Sequence, residues 1–168
     1  FDYIIANQFA ESLDLTLKFN TASSLRSMLL SVGGPQGNFA AANLVTTPER
    51  NKILEFSDPY LNITHQLIYR RVTKKPKTLM DLRGELLVIK SSSHSETLKQ
   101  LKNDIPSLEW REEDGLEMND LIKMVHAGDI DYAIVDSLAY LVSRHIYPNA
   151  GLAFNVTGTQ SVSWAFPK

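Results

Sequence analysis

Three places in this 168-residue sequence carry side chains suited to holding a small charged molecule. The first is Arg50, within Asn43 to Tyr60 (NLVTTPERNKILEFSDPY). Thr47 is a good N-cap and Pro48 suits a first helical position, so the spacing predicts a helix here after the apolar run 39–45. Arg50 then falls in the first turn, where the helix macrodipole disfavours a cation and directs its side chain towards a negative group. A guanidinium at the carboxyl end of a strand is a fork for a carboxylate. The ordinary alternative is pairing with Glu49 or Glu55. The second place is the turn Lys90-Ser91-Ser92-Ser93-His94-Ser95-Glu96, after the apolar strand 86–89. Ser93 with Glu96 fits a capping box, and a helix start of this kind offers backbone N–H groups and hydroxyls to an anion, or simply caps itself. The third is Asp136, at the end of the apolar strand 132–135. Together these groups could hold a zwitterion, with Tyr60 and Tyr3 available to pack on it.

Other chemistries lack their signatures. There is no GxGxxG, no GxxxxGK[ST], no HExxH and no GxSxG. The four histidines, His65, His94, His126 and His145, show no metal-ligand spacing, so neither a metal nor a cofactor is expected. A Ser/His/Asp set assembled in space stays open, with His94 beside Ser93 and Ser95 as the local hint. The absence of cysteine excludes disulfides and a thiol nucleophile.

The elements that must position these groups read as an α/β chain. Phe1, Ile4, Ile5, Phe9 and Leu13 recur at helical spacing, and Leu25, Met28, Leu29 and Val32 mark a second helix stopped by Gly33 and Gly34; both read as core-facing. Leu15, Leu17 and Phe19 alternate as in a strand. Residues 60–72 predict one long strand, and the connection Lys74 to Lys77 reads as a crossing between lobes. Leu79 to Leu82 forms a helical turn closed by Gly84. Strands at 108–111, 132–135 and 152–156 alternate with helices at 116–125 and 137–146, which predicts parallel crossover units. Residues 160–166 return along the first lobe as a strand.

Composition narrows the partner. A formal net charge of -2 with scattered basic residues gives no electrostatic footprint for nucleic acid. No apolar run reaches the roughly 20 residues of a membrane span. The expected ligand is small and polar.

At this point the sequence resembles the family 3 periplasmic solute-binding proteins. Thr47-Pro48-Glu49-Arg50 and Phe56-Ser57-Asp58-Pro59-Tyr60 match that family's TPER and FSxPY elements. Asp81-Leu82-Arg83-Gly84-Glu85 and the strand leading to Ser92 and Ser93 match its second-lobe pattern, and Gly128, Asp131 and Asp136 match a later one. Where these receptors carry a glycine and a threonine before TPER, this chain has Asn43 and Val45. Those departures, with Gln66-Leu67-Ile68-Tyr69, Asp131-Tyr132, Asp136-Ser137 and Trp164-Ala165-Phe166-Pro167, resemble the receptor-like N-terminal domains of membrane-bound lytic murein transglycosylases F.

The resemblance implies a two-lobed clamshell of periplasmic-binding-protein type II, truncated at both ends. Lobe 1 is expected over 1–73 plus 158–168 and lobe 2 over 74–157, with hinges at 71–76 and 155–160. It implies Arg50 for a ligand carboxylate, Asp136 for an ammonium, and Asn43, Val45, Tyr60, Lys90, Ser92, Ser93 and His94 around them. The expected role is a non-catalytic periplasmic sensor of an amino acid or muropeptide, with a separate transglycosylase domain and an outer-membrane anchor in the parent chain. Three alternatives accompany it: a stand-alone receptor of an amino-acid transporter, a cyclohexadienyl dehydratase-like enzyme using His94 or Glu96, and a vestigial cleft on a docking module.

Overall fold

In the computed structural model, which describes residues 2–32, 34–35 and 38–168, the chain divides into two compact units, Phe1–Asn62 with Ser161–Lys168, and Ile63–Gln160. Of the expected signals, Phe1 and Gly33 lie outside the described residues.

The first unit holds helices α1 (Asp2–Ser12) and α2 (Leu25–Val32) and strands β1 (Ala40–Val45), β2 (Leu54–Phe56) and β3 (Leu61–Ile63). Its sheet is completed by the last strand of the chain, β9 (Gln160–Pro167), which runs antiparallel to both β1 and β2 and also pairs β3. The expected return of 160–166 to this unit is therefore observed. Val32, Ala40, Leu44, Leu54 and Ala165 form its buried core. The register of β1 on β9 shifts between Ala40 and Leu44, and within that shift Asn43 has φ 52. Asparagine is among the few residues that enter the left-handed region at low cost, so it suits a bulge that glycine would otherwise fill.

Three readings in this unit need correcting. Thr47 and Pro48 open only a short 3-10 turn, Arg50–Lys52, because Leu54 to Phe56 are taken by pairing with β9 before a full helix can form. Residues 15, 17 and 19 do not form a strand: Leu15 and Phe19 are exposed, and Phe19 stacks on Tyr3 of α1 with ring centroids 4.7 Å apart. In α1 the buried positions are Ala6 and Ala10, whereas Ile4 and Phe9, and Leu13 just after the helix, are exposed.

The second unit is a five-stranded sheet covered on both faces. Its elements are β4 (His65–Arg70), β5 (Leu86–Ile89), α3 (Ser93–Leu101), β6 (Arg111–Glu113), α4 (Met118–Ala127), β7 (Tyr132–Asp136), α5 (Ser137–Ser143) and β8 (Ala150–Asn155), in strand order β6-β5-β7-β4-β8. Along β5 and β7 the side chains alternate between two cores. Leu87, Ile89, Ala133 and Val135 pack with Leu121, Ile122 and Val125 of α4, and Leu86, Val88, Tyr132 and Ile134 pack with Leu98 of α3. That alternation is why these strands read as continuous apolar runs.

The sheet is mixed. β5 runs parallel to β6 and β7 as the strand and helix alternation predicts, but β4 lies antiparallel between β7 and β8. The predicted single strand 60–72 is thus two strands, β3 in the first unit's sheet and β4 in the second's. The compact units change over at 62/63 and 160/161. The short strand expected at 108–111 forms at 111–113, since Leu108 is spent on the core beneath α3.

Gly84 precedes β5 with φ +146, and a Cβ there would lie 2.2 Å from Asp131 Oδ2, the oxygen that accepts the Glu85 N–H at 2.8 Å. Gly84→Ala should therefore destabilise the second unit by about 2–4 kcal/mol through backbone strain and displacement of Asp131. Urea unfolding monitored by circular dichroism measures it.

Candidate functional site

In the second unit the register brings titratable groups together. His65 opens β4 and faces Asp136, the last residue of β7, as its direct cross-strand partner. The start of β4 is pinned on both sides: Ser137 N–H donates to the Thr64 carbonyl at 2.9 Å, and Val156 N–H donates to the His65 carbonyl at 2.7 Å. On the other side of β7, parallel β5 ends at Ile89 and leads through the left-handed Ser91 (φ 62) into α3. Ser92, not Ser93, is the N-cap, its hydroxyl accepting the Ser95 N–H at 3.2 Å. The cap shifts by one residue because the helix begins at Ser93, which frees the Ser93 hydroxyl for a tertiary contact.

That geometry delivers His94 to Asp136. His94 Nε2 lies 2.9 Å from Asp136 Oδ1, His65 Nε2 lies 3.9 Å from the same oxygen, and the two imidazole centroids are 4.4 Å apart. Ser93 Oγ lies 3.2 Å from His65 Nε2, and Thr97 Oγ1 3.4 Å from its Nδ1. All three ionisable groups are buried: His65 is 0%, His94 1% and Asp136 1% exposed. Asp136 is also the N-cap residue of α5, yet its carboxylate makes no cap hydrogen bond; it is turned towards the imidazoles instead.

A nucleophile triad does not result. In a Ser/His/Asp relay the hydroxyl and the carboxylate engage opposite nitrogens of one imidazole. Here Ser93 and Asp136 both approach His65 through Nε2, and the carboxylate makes its short contact with the other histidine. The same turn is braced from outside by Glu112. Burial alone would raise that carboxyl's pKa, but the Ser95 hydroxyl at 2.6 Å, Trp110 Nε1 at 3.1 Å and Lys99 outweigh it and hold the group below its ordinary value. Lys90 is exposed at the end of β5, while Ser92 and Ser93 are buried.

In the first unit Arg50 is 4% exposed. Its N–H donates to Thr47 Oγ1 at 3.2 Å and its Nη1 donates to the Val45 carbonyl at 2.9 Å. A three-residue turn carries little macrodipole; the Thr47 bond fixes the Arg50 backbone, and the bond to the Val45 carbonyl helps to orient the guanidinium. Glu49, one of the expected alternative partners, pairs instead with Lys52 at 2.7 Å. The Val45 side chain is buried, so this residue acts through its backbone. Asn43 N–H donates to Asp2 Oδ2 at 3.0 Å, which ties the start of α1 to the bulge in β1. A groove of about 670 Å³ runs between α1, residues 17–23, α2 and the beginning of β1; Tyr3 lines it, but Arg50, Asn43, Val45 and Tyr60 do not.

Sequence reasoning placed Ser93, His94 and Asp136 in one region but missed His65. It was read as one position in a long first-lobe strand, and no spacing links it to His94. The antiparallel insertion of β4 is what makes them neighbours.

Tyr60 supplies a pH test for the first unit. Its phenol pKa is raised above the ordinary value, first by burial, then by a hydrogen bond to Asp2 and by that carboxylate's charge. A raised folded-state pKa means that the folded state keeps a proton that the unfolded state releases. The stabilisation is present below the ordinary phenol pKa of about 10 and is lost as pH rises above it. Urea unfolding between pH 8 and 11 should show a falling stability whose slope is shallower in Tyr60→Phe.

Comparison with known proteins fits these features. Residues 1–109 match the model of bacterial extracellular solute-binding proteins, family 3. The membrane-bound lytic murein transglycosylase F of Saccharophagus degradans is 44% identical over 169 residues, covering 100% of this chain and 34% of that protein. The protein of that name from Cellvibrio japonicus is 37% identical, covering 99% and 34%. The chain thus spans about a third of the length of these relatives. Among solved structures, an ancestral arginine-binding protein bound to arginine superposes with a TM-score of 0.85 at 18% identity, covering 99% of this chain and 74% of that one. Holo arginine-binding protein from T. maritima gives 0.84 at 20%, covering 100% and 72%. A histidine kinase sensor domain with similarity to periplasmic binding proteins gives 0.82 at 16%, covering 99% and 72%. The two-sheet architecture is that of the clamshell periplasmic binding proteins, and the chain belongs to the bacterial extracellular solute-binding proteins, family 3.

Proposed function

We propose that this chain is a non-catalytic, ligand-binding sensor module of a periplasmic lytic murein transglycosylase, and that its ligand is a peptidoglycan-derived peptide. Arg50 is the observation that carries the reading. Its guanidinium is withdrawn from solvent and donates to the Val45 carbonyl, while Thr47 fixes its backbone within the TPER turn that the resemblance to solute-binding receptors assigns to a ligand carboxylate. A preoriented fork loses less entropy on binding a carboxylate than a mobile one.

The second unit supports a peptide over a free amino acid. In the expected arrangement Asp136 receives the ligand ammonium, but here its carboxylate already meets His94 at 2.9 Å. An incoming ammonium has to share that carboxylate with the imidazole, which weakens binding of a free α-amino group. A peptide can gain affinity from other contacts and need not engage Asp136 at all. Lys90, exposed beside the serine turn, is available to a second carboxylate.

The similarity to transglycosylases F over the whole chain supports placement in the cell envelope and a separate catalytic domain in the parent protein. A sensor role has precedent on this fold in the histidine kinase sensor domain. Among the described residues no helix is long and apolar enough to cross a membrane. Ligand binding would then regulate the parent by the difference in its affinity for two states of the module.

Calorimetric titration with peptidoglycan stem peptides and with free amino acids, arginine included, tests the reading. A stem peptide should bind, free amino acids should bind more weakly, and Arg50→Ala should lose on the order of 10²-fold in affinity. Arg50→Lys keeps the charge without the fork and should recover part of it. Tight binding of free arginine would favour a transporter receptor. Absence of heat with every ligand, in protein shown to be folded, would overturn the proposal.

A further inference from the structure

We propose that His65, His94 and Asp136 form a binding site for a divalent ion of the Zn2+ class, built wholly within the second unit. Their ligand atoms all lie within 4.8 Å of one another, and each comes from a different element: the first residue of β4, the second residue of α3 and the last residue of β7. Two imidazoles and a carboxylate are a donor set that suits zinc and neighbouring transition ions, and does not suit calcium or magnesium.

The distances are close to those a bound ion requires. Ligands about 2.0–2.2 Å from a tetrahedral zinc stand roughly 3.3 Å from one another. His94 Nε2 to Asp136 Oδ1 is 2.9 Å and His65 Nε2 to the same oxygen is 3.9 Å, values that bracket that spacing. Rotamer adjustments of a few tenths of an ångström would equalise them. Ser93 Oγ, 3.2 Å from His65 Nε2, is the donor nearest a fourth position. An outer partner is in place too: Thr97 Oγ1 at 3.4 Å from His65 Nδ1 can hold that ring with Nε2 presented to the ion.

Electrostatics points the same way. A metal ion would place positive charge beside a carboxylate buried to 1% exposure, and between two imidazoles buried to the same degree. The site does not depend on the ligand reading above, although an ion held here would compete with a ligand ammonium for Asp136.

The experiment titrates chelator-treated protein with Zn2+ by calorimetry, and with Co2+ by visible absorption, in the absence of amino acids and peptides. Expected are one ion per chain and ligand-field bands of a tetrahedral Co2+ complex. His65→Gln, His94→Gln and Asp136→Asn should each weaken binding at least tenfold, while His145→Gln, at an exposed histidine, should not. X-ray absorption fine structure of the zinc-loaded wild type should count two imidazoles, which keeps the test decisive if a buried variant misfolds. No zinc or cobalt uptake by folded protein, or uptake that survives both His65→Gln and His94→Gln in folded variants, would overturn the proposal. Failure here leaves the peptide titrations untouched, and their failure leaves this one untouched.

Discussion

The carboxylate of Asp136 is the constraint around which the second unit is arranged. An ionised group at 1% exposure has lost its hydration, and a low-dielectric interior repays that only through a close counter-charge or several hydrogen bonds. The fold meets the demand with His94, at 2.9 Å, placed by a helix whose start is fixed by the Ser92 cap. The cost is visible next door: as the residue preceding α5, Asp136 would ordinarily cap that helix, and it does not. A side chain that gives up a cap worth on the order of 1 kcal/mol is held by something stronger.

Topology explains why His65 takes part. If every strand of this sheet were parallel, the residue opening β4 would lie at the end of the sheet opposite the carboxyl ends of β5 and β7. Because β4 runs antiparallel, its first residue lies level with the last residue of β7. Two structural features meet at one point: helix starts after parallel strands, and the first residue of an antiparallel one. The first unit uses a different device. There the Asn43 bulge and the short turn at Arg50 are tied by backbone carbonyls and hydroxyls, with Asp2 fastening α1 to the bulge. Neither arrangement requires a long helix, and both rely on short polar contacts at strand ends.

Local signals therefore carried much of the fold. Leu86–Ile89 and Tyr132–Asp136 are buried on both faces, so their continuous apolar runs were legible as strands, and Gly128 at φ 87 closes α4 where the periodicity stops. What was not legible was strand order. Residues 60–72 have one composition but serve two sheets, and nothing local reports that β4 crosses into the second unit. The same limit applies to the site. Arg50, Ser93, His94 and Asp136 stood out because each follows an apolar run, whereas His65 precedes one and gained its neighbours only through long-range pairing. The helix expected after Pro48 failed for a related reason, since pairing of Leu54–Phe56 with β9 outweighed a favourable cap.

The claim on which the rest turns is that Asp136 is held by imidazole within its own unit. Long-range proton–nitrogen NMR of the histidine side chains tests it most directly. Two ring signals, those of His65 and His94, should be shielded from solvent and should both change in Asp136→Asn, while the signals of His126 and His145 should not. Four histidine signals that are all indifferent to Asp136→Asn, in a variant shown to be folded, would contradict it.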